Sequence, residues 1–184
     1  MDASVAYYVQ GRDRALYFTP QGVTFALETE TERWALKLDF VGASPTRPEG
    51  RDPAQARISY FTGPRESWRA GLPTFSKLVY PNLWPGIDLV YVGTVNRLKY
   101  KFVVQPGADP AQIRLAYRGA AALAVDAEGR LQVNTPAGSL SDDAPVAYQE
   151  VGRRRAPVSV AYDLDAAPEG DAWGYGFALG DYDP

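Results

Sequence analysis

A chain of 184 residues with 46% hydrophobic content can fill a real core, which argues against disorder, and the absence of both cysteine and histidine removes disulfides, thiolate nucleophiles, the commonest zinc ligands and the imidazole base of a hydrolytic triad. A formal charge of −3 with interspersed signs lacks the net basic surface that nucleic-acid binding requires. With 17 Gly and 15 Pro between short apolar runs there is no room for long helices, and 12 Tyr with 7 Phe suit the faces of strands.

Alternating runs open the chain at Val5–Val9, Ala15–Thr19 and Val23–Leu27. Pro20-Gln21-Gly22 predicts a hairpin between the second and third, with proline fixing one φ and glycine taking a positive one. Trp34, Leu36, Leu38 and Phe40 share a face opposite Ala35, Lys37 and Asp39, so they predict a half-buried strand with Trp34 in the core. Residues 42–55 read as a surface loop, Arg57–Phe61 as a strand, and Pro64–Arg69 as one irregular helical turn pinned by Trp68.

Phe75–Tyr80 and Ile87–Val92 read as strands joined by a stiff connection, Pro81–Gly86, which carries Trp84. Leu98–Val104 follows, placing Leu98, Tyr100, Phe102 and Val104 on one side and Lys99, Lys101 and Val103 on the other. Asp109-Pro110 predicts a capped single helical turn. Ile113, Leu115 and Tyr117 then alternate, and Ala122–Val125 and Leu131–Asn134 flank a turn at Asp126–Gly129. Val146–Glu150 and Pro157–Leu164 form a hairpin around Gly152, and Trp173, Tyr175, Phe177 and Leu179 make a last apolar face, with Trp173 in the core, before an acidic tail.

The predicted fold class is therefore all-β: an antiparallel, sandwich-like pair of packed sheets of short strands, with inner faces roughly 10 Å apart and at most single-turn helices. Residues 1–184 read as a single module, with an internal seam near 105–110 dividing two sheet-based lobes. No apolar stretch approaches the roughly 20 residues of a membrane-spanning helix, so no membrane insertion is expected. Residues 1–10 carry neither a basic n-region nor an apolar h-region, so no signal peptide is expected there.

Chemistry is sparse. No glycine-rich strand-to-helix loop precedes a Lys-Ser or Lys-Thr, which removes the phosphate-cradling and dinucleotide fingerprints. A glycosidase needs two carboxylates facing across about 5 to 9 Å, and although Asp88, Asp109, Asp142 and Asp143 are available, nothing in their spacing singles out a pair. Asp88, between Ile87 and Leu89, faces away from both toward solvent, a strand-edge hydrogen bond or a partner. Asp142-Asp143 before Ala144-Pro145 reads as a turn, with calcium the weak alternative. No catalytic residue and no cofactor is predicted, and the chain does not read as an enzyme. Trp68 and Trp84 lie in connections, where an indole is either a plug over a sheet edge or a platform for a sugar. Arg153-Arg154-Arg155 is the one tight basic run, a solvated turn or a contact for an anion or partner.

Four stretches together carry a resemblance: Ile58-Ser59-Tyr60-Phe61-Thr62-Gly63, Trp68-Arg69-Ala70-Gly71-Leu72-Pro73-Thr74-Phe75, Tyr80 through Tyr91 with its Pro-Gly-Ile-Asp-Leu-Val-Tyr element, and Leu98 through Pro110 with Val-Gln-Pro-Gly-Ala-Asp-Pro. They resemble the N-terminal domain of large bacterial exported proteins that carry seven-bladed β-propeller (SBBP) repeats, and Ile113–Gly119 and Pro145–Glu150 fit the same pattern, so that nearly the full chain is covered. The resemblance implies an extracytoplasmic module, secreted or on the cell surface, followed in its parent protein by propeller-type repeats or immunoglobulin-like domains, and it supplies no catalytic residue. The expected function is a non-catalytic structural or adhesive module that caps or spaces downstream repeat domains; the alternative is a carbohydrate-binding module using loop aromatics. Its expected partners are those domains or surface glycans. A continuous exposed apolar patch would favour docking, and a groove with two coplanar exposed rings would favour a glycan.

Overall fold

The computed structural model describes residues 4–11, 14–28, 33–61, 63–93, 98–152 and 154–184. The chain begins as an antiparallel meander of β1 (Tyr7–Gln10), β2 (Arg14–Thr19), β3 (Gly22–Glu28) and β4 (Arg33–Val41). The β2–β3 hairpin closes where predicted, with Thr19 opposite Gly22. Gly22 serves a purpose other than the one expected: its φ is not positive, and a Cβ there would lie 2.1 Å from the Leu38 carbonyl oxygen on β4.

A second meander follows: β5 (Glu49–Tyr60), β6 (Arg69–Trp84), β7 (Ile87–Gly93) and β8 (Leu98–Val104) form a four-stranded sheet. Two expectations are corrected. Residues 49–55, read as loop, belong to β5; nearly all of that strand is exposed, so no face of it is apolar and no alternation marks it. The supposed connection Pro81–Gly86 is strand as far as Trp84, and β6 runs for 16 residues where short strands were expected.

A bulge makes this possible. The β6–β7 register shifts between Tyr80 and Trp84, and Asn82 adopts a φ of 47°. Asp88 Oδ1 accepts a hydrogen bond from the Asn82 amide at 2.7 Å, while Asn82 Oδ1 accepts from the Gly86 amide at 2.8 Å. A regular strand would send Leu83 and Trp84 to opposite faces; here both are buried.

After a capped 3-10 turn at Pro110–Gln112, in which Asp109 Oδ1 accepts from the Ala111 amide at 2.9 Å, β9 (Arg114–Arg118) inserts beside β4. β10 (Ala122–Val125), β11 (Leu131–Thr135) and β12 (Gly138–Asp142) form a small sheet, and β13 (Ala147–Val151) with β14 (Arg154–Val158) a separate hairpin. Finally β15 (Val160–Leu164) and β16 (Ala172–Leu179) complete a seven-stranded sheet of order β1-β2-β3-β4-β9-β16-β15. Every pairing is antiparallel, and strands from both sides of 105–110 share this one sheet, so that stretch does not divide the sheets into lobes.

The two larger sheets face each other across a layer of rings. Phe18 meets Tyr91 and Phe40 meets Tyr80, both at 5.1 Å, and Phe102 meets Phe177 at 5.7 Å. Phe75 on β6 touches Tyr7 on β1, whereas Tyr80 on the same strand touches Phe40 on β4. Five residues of strand, about 16 Å, thus cover the three strand spacings between β1 and β4, about 14 Å, so β6 crosses the larger sheet at a steep angle. Leu131 and Val133 from β11 close the same core. Tyr100 and Phe102 both turn toward it, as their shared parity predicts.

Candidate functional site

Trp84, for which the sequence leaves plug or platform open, has surroundings that fit the plug. It is 1% exposed, and its indole N–H donates to the Val41 carbonyl at 3.0 Å, so it is a plug between β6 and β4 with no face left for a ligand. Asp88 is held by the bulge. Arg155 lies 4.4 Å from the centre of the Tyr148 ring and 3.5 Å from Glu150, braced on the exposed β13–β14 hairpin beside Arg154, while Arg153 lies outside the described residues. Asp142 ends β12 instead of forming a turn with Asp143. Its carboxylate accepts from Tyr100 Oη at 2.5 Å, and Tyr162 Oη donates to the Asp143 carbonyl at 2.9 Å. Among the described residues no three acidic side chains gather in a group that could hold a metal ion.

Trp68 remains at the surface, at the end of the β5–β6 hairpin. It is 41% exposed, Phe61 60% and Ile58 44%. Phe61 packs edge-on against the indole, with ring centres 5.4 Å apart and planes at 78°. The arm that carries them is braced by local bonds: Trp68 Nε1 donates to the Gly63 carbonyl, Arg69 to the carbonyls of Glu66 and Trp68, and Thr74 to Ala56 across the strands. The Arg65 guanidinium lies 5.8 Å from the centre of the indole, and Arg57 donates to the Gly71 carbonyl on the facing strand. Near its turn, where Tyr60 pairs with Arg69, the arm touches β1 through Tyr60 and Tyr8, whose ring centres are 5.6 Å apart. Burial, followed by the Tyr60 hydroxyl, pushes the Tyr8 phenol up to about 12.

A second feature was hidden by a correct periodicity. Trp34 and Trp173 do lie on core-facing parity, yet both are only half-buried and both line one surface cleft of about 300 Å³, with Gly119, Ala120, Ala121, Pro136, Gly170 and Asp171. The sequence signal for it was the run Gly119-Ala120-Ala121, too small to cover an indole.

The geometry on its own names no chemistry, and comparison with known families supplies a membership. Residues 1–184 match the family described as Domain of unknown function (DUF7948). The chain belongs to that family. No curated protein and no solved structure matches the chain.

Within the DUF7948 domain the most unusual electrostatics surround Asp142. Desolvation raises its carboxyl above the ordinary carboxylate range, against the opposing pull of the hydrogen bond from Tyr100. Burial likewise raises Tyr91, Tyr100, Tyr117, Tyr162 and Tyr175, and the Asp142 charge adds to each. In this DUF7948 domain the cluster joins β8, β12 and β15 at the edge of the core and opens into neither the arm nor the tryptophan cleft.

Proposed function

We propose that the domain is a non-catalytic docking module of an exported protein, which caps or spaces neighbouring repeat domains and grips them with the β5–β6 arm. The observation that carries this reading is the exposed Phe61–Trp68 pair, held on a braced two-stranded projection with Ile58 along the same strand. Large apolar side chains at the end of a stiff arm cost solvation in the isolated domain, and covering them with a partner recovers it. The rings stand at 78°, so they offer a wedge rather than the coplanar platform a sugar face prefers, and the buried Trp84 gives Trp68 no second indole to work with. Arg65 beside the indole, with Arg57 and Arg69 on the two strands of the arm, outweighs Glu66 in charge and favours an acidic surface on the partner domain. The resemblance to N-terminal domains of SBBP-repeat proteins supports the same reading and, with it, a location outside the cytoplasm.

Hydrogen exchange tests it. Amides of residues 57–71 should be more protected in the whole parent polypeptide than in the isolated domain, and Phe61→Ser with Trp68→Ser should abolish that extra protection while leaving β7 and β8 unchanged. Equal exchange at the arm in both contexts would remove the docking reading.

A further inference from the structure

We propose that the cleft between Trp34 and Trp173 binds a neutral saccharide through a single pyranose ring, whose C–H face lies on an indole and one of whose oxygens accepts a hydrogen bond from Trp173 Nε1. The two tryptophans come from β4 and β16, which are not neighbours: β9 lies between them, paired with both. In the middle of the seven-stranded sheet this face is covered by the four-stranded sheet. At this end its neighbours are Gly119, Ala120, Ala121 and the Pro136 turn, which leave about 300 Å³ open. That volume is at the lower end of small-molecule sites, about 300–1,000 Å³, so it suits one sugar ring rather than a long polymer.

Trp34 is locked in place. Its indole N–H donates to the Gly119 carbonyl at 2.9 Å, and Gly119 has a φ of +86°, where a Cβ would lie 2.8 Å from the Ala35 carbonyl oxygen and 3.4 Å from Trp34 Nε1. Only glycine fits there, and the result is a pre-oriented apolar face without a free donor. Trp173 is complementary: among the described residues its indole N–H has no protein acceptor. One ring therefore supplies a fixed stacking surface and the other a stacking surface with a donor, the pairing that an amphipathic ring with one apolar face and a polar edge requires. Charge selects against ions. Among the described residues Asp171 is the only charged one lining the cleft, and its carboxylate is already held at 2.7 Å by Arg118, which also holds Asp39 at 2.7 Å.

The test uses the whole 184-residue chain on an array of neutral and charged glycans, followed by calorimetric titration with methyl pyranosides and, separately, with choline. Saturable binding of a neutral pyranoside is expected, weakened about tenfold by Trp173→Ala and less by Trp173→Phe, which keeps the stacking face and loses the donor. Trp68→Ala should leave it unchanged. Should Trp173→Ala fail to fold, Trp173→Phe, checked by its melting temperature, decides. The assignment falls if no neutral pyranoside binds, if choline or an acidic glycan binds better, if both Trp173 variants bind as the parent does, or if Trp68→Ala abolishes binding.

Discussion

Asp142 and Asp126 are two carboxyls on the same small sheet and its turn, and their surroundings push them in opposite directions. The Asp126 carboxylate accepts backbone hydrogen bonds from Glu128 and Arg130 and pairs with the Arg130 guanidinium, and the Arg130 amide leads in lowering it to about 2. Asp142 accepts from the Tyr100 hydroxyl and, among the described residues, pairs with no cation, so desolvation wins and its pKa rises. A carboxyl raised on folding binds its proton more tightly in the native state; the stability it confers is complete below the unfolded value, ~3.9, and is lost as pH climbs through the folded one. The parent domain should therefore lose stability relative to Asp142→Asn as pH rises across that window, in urea melts of the two proteins. Parallel profiles would mean that another group titrates. At Gly22 the prediction is steric: Gly22→Ala places a methyl 2.1 Å from the Leu38 oxygen, so β3 and β4 must part, at a cost of about 1–3 kcal/mol in the same melts.

Elements whose one face is buried were legible because their side chains alternate: β4 reads Trp34, Leu36, Leu38, Phe40 inward, and β8 reads Tyr100 and Phe102 inward. The first part of β5, residues 49–55, escaped because neither of its faces is buried, and only pairing with β6 makes it a strand. Pattern cannot report an element held by backbone bonds alone. The β13–β14 hairpin is also exposed on most of its length; the sequence marked its turn at Gly152, although its return strand is Arg154–Val158 and not Pro157–Leu164. The bonds that tie it to the chain end come from one amide: Gln149 Oε1 accepts from the Asp183 amide at 2.9 Å, and Gln149 Nε2 donates to the Asp183 carbonyl at 2.5 Å. Replacing Gln149 by alanine removes both bonds while burying nothing new. Residues 180–184 should then become cleavable by carboxypeptidase sooner than in the parent, with global stability changed by less than about 1 kcal/mol. Unchanged cleavage would show that the tail is fastened elsewhere.

At the scale of the whole molecule the sheet order was the part that no local pattern could supply, because β9 pairs with β4 across a long stretch of chain that builds an entire second sheet. The same non-locality hid the tryptophan cleft. Parity gave Trp34 and Trp173 the correct side of the sheet, but whether that side is covered depends on where the four-stranded sheet ends, and small residues at 119–121 decide it. Nor did the proline–glycine seam at Pro106-Gly107 mean what its composition suggested, since a turn rich in breakers can sit between two strands of a common core as readily as between two domains. The consequence is testable by cutting there. A fragment ending at Gly107 retains β1–β8 but leaves β4 with a bare edge and loses Leu115, Tyr117, Leu131, Val133 and Tyr175 from the core. The remainder keeps β9–β16 but lacks Trp84, Tyr80, Tyr91 and the rings of β8 that roof it. Neither fragment should melt cooperatively or show dispersed amide resonances alone, because each exposes the apolar face that the other covers. Mixing the two should restore both signals. A sharp melt from either fragment by itself would establish an autonomous core on that side of the seam and overturn the shared-core account.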